Sequence, residues 1–222
     1  MMSSGSGISL DPWFDNYADR AAGLSASEVR ALFAVASRPE VVSLAGGMPF
    51  VAALAFDKVR SSVDSVLASQ GPTALQYGSG QGLPSLREKI RTIMAEEGIR
   101  AGVDDIVVTT GSQQGLDLVA KLFVNPGDAI LAESPSYVGA MGVLRSYQAR
   151  VEHIEMDEHG MIPAALTQRI EELRAAQVPI KFLYLIPNFQ NPAGVTLSAS
   201  RRVEILDIAK DNGILIVEDN PY

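Results

Sequence analysis

Residues 181–194 read KFLYLIPNFQNPAG, an apolar run followed by a polar sequence in which asparagine, proline and glycine favour a turn. The run over residues 181–186 has the length of a strand and shows no alternation of polar and apolar residues. Such strands are typical of parallel sheets whose two faces are both covered by helices. This stretch therefore predicts an α/β fold with a polar loop at the carboxyl end of the strand.

Further apolar runs and helix-like stretches surround this segment. The other predicted strands cover residues 106–109, 129–132, 150–154 and 214–217. Apolar residues at helical spacing predict helices over residues 84–99, 113–124, 138–147, 162–176 and 198–212. A capping box at Ser25 and Glu28 predicts an earlier helix that ends near Pro39. Because ligands of parallel sheets bind where strands end, the residues after each run are the functional candidates.

Composition excludes several classes of function. The 222 residues, 47% of them apolar, suffice for the core of one large domain or two small ones. A net charge of −8 gives no basis for binding nucleic acid. No cysteine is present, and the two histidines, His153 and His159, bracket acidic residues that favour a solvated loop over a metal site. No signal peptide or membrane-spanning stretch is evident, which predicts a cytoplasmic protein without membrane partners.

The segment TTGSQQG at residues 109–115 joins a predicted strand to a predicted helix. Free backbone N–H groups, the Ser112 hydroxyl and the positive end of the helix dipole would meet there, which predicts a site for an anion such as phosphate. An ordinary serine N-cap is the alternative reading of the same residues.

Asp219 follows the apolar run 214–217. A carboxylate at the end of a buried strand loses hydration unless it meets a cation or a hydrogen-bond donor, so Asp219 is a candidate site residue. A solvated acid at a strand end is the alternative. Asn191 fits a plain turn equally well, and Tyr137 and Tyr222 fit surface aromatics with hydrated hydroxyls.

Taken in order along the chain, these motifs resemble the class I and II aminotransferases that use pyridoxal phosphate. The motifs are GSQQ at 111–114, SPSY at 134–137, NPAG at 191–194 and EDNPY at 218–222. The chain most resembles the branch with the 2-aminoadipate and kynurenine aminotransferases, through SLAGGMP at 43–49, LQYG at 75–78 and YLIPNFQNP at 184–192. The resemblance spans residues 25–222 and implies the fold type I of pyridoxal-phosphate-dependent transferases.

The resemblance implies a role for each matching residue around the cofactor ring. Asp219 matches the acid that pairs with the pyridine nitrogen and keeps it protonated. Asn191 and Tyr222 match the groups that hydrogen-bond the ring's 3′ oxygen, and Tyr137 matches the aromatic residue that stacks on the ring.

The resemblance also implies contacts with the cofactor phosphate. Ser112 and Gln113 match the phosphate-binding turn, which agrees with the anion site predicted above at the start of the helix. Tyr77 matches a tyrosine that reaches the phosphate of the neighbouring subunit, so a homodimer is implied.

Substrate contacts follow from the same comparison. Gly46 and Gly47 match a loop that lines the substrate pocket, where Asn191 is also expected. Arg30 matches an arginine that some members use to bind an acidic side chain, and a solvated helix charge is the alternative. The implied substrates are an amino acid and a 2-oxo acid.

One departure from the family concerns the Schiff-base lysine, which lies in a Ser-x-x-Lys segment. The five lysines of this chain all lie in other contexts: Lys58, Lys89, Lys121, Lys181 and Lys210. We therefore expect no catalytic residue in this chain and an inactive fragment, since loss of a general base alone typically lowers a rate by about 10²- to 10⁴-fold. The resemblance also implies two central strands, between the 106–109 and 214–217 strands, that this sequence does not supply.

We therefore expect an N-terminal arm with part of a small domain over residues 1–60 and an incomplete cofactor-binding large domain over residues 61–222. Two alternatives remain open. The cofactor-binding domain of a transcription regulator would require a preceding DNA-binding domain, for which fewer than thirty residues are present before the first matching helix. A lyase or decarboxylase of the same fold would share the cofactor motifs.

Overall fold

A computed structural model describes residues 11–23, 38, 40–42 and 51–221. The chain forms two compact units, one comprising Gln113–Tyr222 with Met1–Ala26 and the other Ser27–Ser112. The expected division at residue 60 into an arm and a large domain stays a prediction.

The first unit is built on a five-stranded sheet. Its strands are β1 (Ala129–Ser134), β2 (Arg150–Asp157), β3 (Gly160–Met161), β4 (Ile180–Leu185) and β5 (Leu215–Glu218). The spatial order is β3-β2-β1-β4-β5, and every pair is parallel except β2 with β3. The predicted α/β fold with a mostly parallel sheet is confirmed.

Four helices cover the sheet, and all four were predicted to within two residues at each end. They are α3 (Ser112–Phe123), α4 (Val138–Ser146), α5 (Pro163–Ala175) and α6 (Ala199–Asp211). Short 3₁₀ helices occupy Phe14–Asn16 and Asp19–Gly23.

Side chains of β1 and β4 alternate between two separate cores. Phe182 and Tyr184 of β4 pack with Ile130 in a cluster that includes residues of α3 and α4. Leu183 and Leu185 point the other way, into a cluster with residues of α5 and α6. Because both faces are buried, the strand sequence is apolar throughout, which is why the run was recognisable.

In its described residues, the second unit contains two longer helices, α1 (Phe56–Ala74) and α2 (Pro84–Glu96), with 3₁₀ helices at Val51–Ala53 and Val103–Asp105. The sequence did not predict α1, which holds Pro72 and a non-helical residue at Gln70 near its end. Its apolar side chains, such as Val59 and Val63, are half exposed.

The prediction of a strand at residues 106–109 is wrong for this structure. The segment runs in extended conformation at Ile106, but it belongs to no strand of the sheet in the described residues. The backbone N–H of Val108 donates instead to the carbonyl of Gln81 (2.9 Å). Extended backbone becomes a strand only with a neighbouring strand beside it, and composition does not reveal that neighbour.

His159 lies in the tight turn between β2 and β3, and its backbone N–H donates to the Asp157 carboxylate (2.8 Å). Within residues 11–23, 38, 40–42 and 51–221, no group of three or more potential metal ligands occurs. No helix in the same ranges has the length and hydropathy needed to cross a membrane.

Candidate active site

The carboxyl ends of β1, β4 and β5 lie side by side, because these strands are neighbours and parallel. The loop after β1 carries Tyr137, the loop after β4 carries Asn191, and Asp219 follows β5. Three of the predicted site residues therefore share one edge of the sheet, as the strand-end argument requires.

A hydrogen bond from Tyr184 fixes the carboxylate of Asp219. The Tyr184 hydroxyl donates to Asp219 Oδ2 over 2.7 Å, while the backbone N–H of Asp219 donates to the Leu185 carbonyl (2.8 Å). Burial of Tyr184, followed by the bond to Asp219, raises the pKa of its hydroxyl, so the tyrosine remains a donor at neutral pH. Asp219 is half-buried and keeps its second oxygen, Oδ1, for another donor.

Side-chain and backbone bonds also join the loops to one another. The Asn188 amide after β4 donates to the side-chain oxygen of Asn220 after β5 (2.9 Å). The Gln190 amide donates to the Pro135 carbonyl in the loop after β1 (2.8 Å). Three chain segments that are far apart in sequence are thus held together at the sheet edge.

Tyr137 lies against the first turn of α4. A Cβ atom at Gly139 would come within 2.5 Å of the Tyr137 ring, so the ring occupies the space that glycine leaves open. The Gln113 amide, on the first turn of α3, donates to the Gly139 carbonyl at 3.5 Å, which brings the start of α3 to the start of α4.

Glu133 is a buried carboxyl group behind this edge, 1% exposed at the end of β1. Its Oε2 accepts the backbone N–H of Ile186 (3.0 Å) and the amide N–H of Gln190 (3.5 Å). Burial raises its pKa to about 7, against the opposing effect of these two donors. Tyr184, whose pKa Glu133 also raises, is a titratable neighbour on β4.

One buried polar atom at this edge lacks a partner. The Ser136 hydroxyl has no hydrogen-bond partner among the described residues, although Ser136 is only 9% exposed. A buried hydroxyl without a partner is unfavourable by about 1–3 kcal/mol, so the site is suited to an additional polar group. The donor set fits pyridoxal phosphate, with a carboxylate at Asp219 for a ring N–H, an amide at Asn191 and an aromatic ring at Tyr137.

Other predicted site residues lie in the second unit or outside the described residues. Ser112 and Tyr77 belong to the second unit, and the Tyr77 side chain is fully exposed. Ser112 is the first residue of α3 and follows Gly111, whose φ is +76°, so the predicted serine N-cap is displaced by one residue. The remaining predicted residues lie outside the described ones: Arg30, Gly46, Gly47 and Tyr222, together with the helix predicted after Ser25.

Three residues that bond within this edge were not singled out from the sequence: Tyr184, Glu133 and Gln190. Tyr184 belongs to an apolar run and Gln190 to a turn motif, and neither stands out by composition. Glu133 carried a usable signal, because it is an acid that directly follows the apolar run 129–132, as Asp219 follows another run.

Comparison with known proteins gives the family. The family model "Aminotransferase class I and II" matches residues 40–222. The chain belongs to this aminotransferase family. Its members are pyridoxal-phosphate-dependent enzymes, as the motifs implied.

Individual relatives agree with the family. The chain is 38% identical over 207 residues to the aromatic-amino-acid aminotransferase 1 of Thermococcus litoralis, covering 93% of this chain and 50% of that protein. It is similar to the kynurenine aminotransferase of Pyrococcus horikoshii, solved with PMP, at 34% identity and a TM-score of 0.85, over 92% of this chain and 51% of that one. It is also similar to the α-aminoadipate aminotransferase of Thermus thermophilus, solved with N-(5′-phosphopyridoxyl)-L-leucine. The identity is 32% and the TM-score 0.81, over 95% of this chain and 50% of that one.

These similarities confirm the predicted branch and the fold type I architecture. This chain spans about half the length of the relatives it matches, consistent with the predicted partial domain. Neither the transcription-regulator nor the lyase alternative is favoured by these relatives.

Proposed function

We propose that this chain carries the pyridoxal-phosphate-binding part of an aminotransferase that moves an amino group from an amino acid to a 2-oxo acid. The observation that supports this most directly is the Asp219 carboxylate, anchored by Tyr184 at the carboxyl edge of a parallel sheet. One oxygen accepts from the tyrosine, and the other is left for a ring N–H.

Each nearby residue has a chemical task in this proposal. The Asp219 carboxylate favours a protonated ring nitrogen, because an adjacent negative charge stabilises the positive form. Asn191 donates to the ring's 3′ oxygen, and the Tyr137 ring packs on the cofactor face. Ser112 and Gln113 bind the phosphate at the start of α3, where the helix dipole favours an anion. When bound, pyridoxal phosphate supplies the electron sink for the reaction.

Further parts of the proposal follow the family. We place Gly46, Gly47 and Arg30 in the substrate pocket and infer a cytoplasmic homodimer in which Tyr77 and Tyr222 also bind the cofactor.

None of the five lysines occupies a Ser-x-x-Lys segment. We therefore expect the 222-residue chain to show no transamination when it is incubated with amino and 2-oxo acids, since it lacks that amine.

A cofactor titration tests the proposal. Pyridoxal phosphate is added to the wild-type chain and to Asp219→Asn, with binding followed by absorbance. We expect the variant to bind about 10- to 100-fold more weakly, because a charge-assisted hydrogen bond contributes about 1.5–3 kcal/mol. The matched control is Asp117→Asn, since Asp117 also accepts from a tyrosine, Tyr147, at 3.0 Å.

The outcomes separate cleanly. Unchanged affinity in Asp219→Asn, or an equal loss in the Asp117 control, would contradict the proposed role of Asp219. Tyr184→Phe and Tyr147→Phe form the second matched pair, and only Tyr184→Phe is expected to weaken binding, because it frees the Asp219 carboxylate to move.

A further inference from the structure

Glu133 and Gln190 form a buried polar pair between two loops of the proposed site. Both residues are 1% exposed, and Glu133 Oε2 lies 3.5 Å from the Gln190 amide nitrogen. The same carboxylate oxygen accepts the backbone N–H of Ile186, the residue that follows β4. Glu133 thereby ties the end of β1 to the start of the loop after β4.

Gln190 uses its side chain in two directions. Its amide nitrogen donates to the Pro135 carbonyl (2.8 Å), two residues before Tyr137. Its amide oxygen accepts the backbone N–H of Ala193 (2.9 Å), two residues after Asn191. One side chain therefore holds both the Tyr137 loop and the turn that carries Asn191.

Glu133 takes part in this arrangement without a cation. None of the ion pairs in the described part of the chain includes Glu133. A buried carboxyl group without a counter-ion is unfavourable for folding, so stability alone does not account for an acid at this position. Tyr184 on β4 is a titratable neighbour of Glu133, and Asp219 and Tyr137 also act electrostatically on Tyr184.

We propose that Glu133 and Gln190 act as a clamp that positions Tyr137 and Asn191 relative to each other for the cofactor. Both are positioning residues, because they act through the loops they hold. The identity of what the loops bind rests on the function proposed above, whereas the clamp itself is a property of the chain without ligand.

Amide hydrogen exchange, measured residue by residue without cofactor, tests the clamp. In Glu133→Met the Ile186 amide is expected to exchange about tenfold faster, because it loses its acceptor. Glu133→Gln keeps an acceptor oxygen and should restore protection. In Gln190→Leu the Ala193 amide is expected to exchange about tenfold faster. The matched control is Glu152→Met, since Glu152 is a buried glutamate on β2 outside these loops.

Cofactor affinity of the same variants distinguishes positioning from stability. At a temperature where every variant is folded, Glu133→Met and Gln190→Leu should bind pyridoxal phosphate about tenfold more weakly, whereas Glu133→Gln and Glu152→Met should bind like the wild type. If Gln190→Leu does not fold, the comparison of Glu133→Met with Glu133→Gln decides whether the clamp positions the site.

Each result has one meaning. Wild-type exchange at Ile186 and Ala193 in the clamp variants would overturn the clamp. Faster exchange with unchanged affinity would overturn its positioning role. A wild-type chain that does not bind pyridoxal phosphate would refute the proposed function instead, and the exchange data would still decide whether the clamp exists.

Discussion

Replacing Glu133 by glutamine should remove a pH dependence from the stability of this protein. Burial raises the pKa of Glu133 from 4.5 to about 7 in the folded chain. Because the folded pKa lies above the unfolded value, the contribution of Glu133 to stability is fully present below pH 4.5 and is lost as the pH rises through about 7.

The magnitude follows from the two pKa values. At 1.36 kcal/mol for each tenfold change in proton affinity, the rise from 4.5 to about 7 corresponds to about 3 kcal/mol. Glutamine has no proton to lose, so the free energy of unfolding of the wild type, minus that of Glu133→Gln, should fall by about 3 kcal/mol between pH 4 and pH 8.

Urea unfolding followed by circular dichroism, at half-unit steps of pH, measures this difference. Taking the difference between the two proteins cancels the effects of pH on the groups that they share. The variant Glu204→Gln, at an exposed position of α6, controls for the loss of one negative charge. A difference that does not change with pH would refute the reasoning, because it would mean that Glu133 has the same proton affinity in both states.

Two glycine substitutions provide further predictions. Gly139→Ala should displace the Tyr137 ring and weaken pyridoxal phosphate binding in a titration, since the new Cβ would lie 2.5 Å from ring atoms. The control is Gly142→Ala on the same helix, where a Cβ meets open space. This control should raise the free energy of unfolding by about 0.5–1 kcal/mol. Gly160→Ala should destabilise the chain by at least about 1–2 kcal/mol in thermal unfolding, because φ is +94° there and the Cβ would lie 2.6 Å from the Leu197 side chain. Wild-type binding in Gly139→Ala, or wild-type stability in Gly160→Ala, would contradict these expectations.

The elements that the sequence predicted are those whose burial leaves a continuous pattern. Strands β1 and β4 are buried on both faces, so they are uniformly apolar, and the helices beside them show helical spacing. Residues 106–109 have the same composition, yet no strand pairs with them in the described residues. Helix α1 was not predicted, although Phe56, Val59, Val63 and Val66 recur at helical spacing and Pro72 lies only near its end.

The candidate site was predictable to the extent that strand ends reveal it. Asp219, Asn191 and Tyr137 follow apolar runs or stand in turn motifs, and the structure places them after neighbouring strands. Tyr184 and Glu133 bond to partners 35 and 57 positions away, and spacing along the chain carries no information about such pairs. These pairs become visible only when the pairing of the strands in the sheet is known.

The alternation of side chains along β4 limits how the length of this chain can vary. Tyr184 reaches Asp219 because it points to the same face of the sheet as Phe182, while Leu183 and Leu185 point to the other. A single residue inserted or deleted in β4 before Tyr184 would reverse every later side chain of the strand, burying the tyrosine hydroxyl among leucines and leaving Asp219 unanchored. Changes in the number of residues should therefore be confined to the connections between elements.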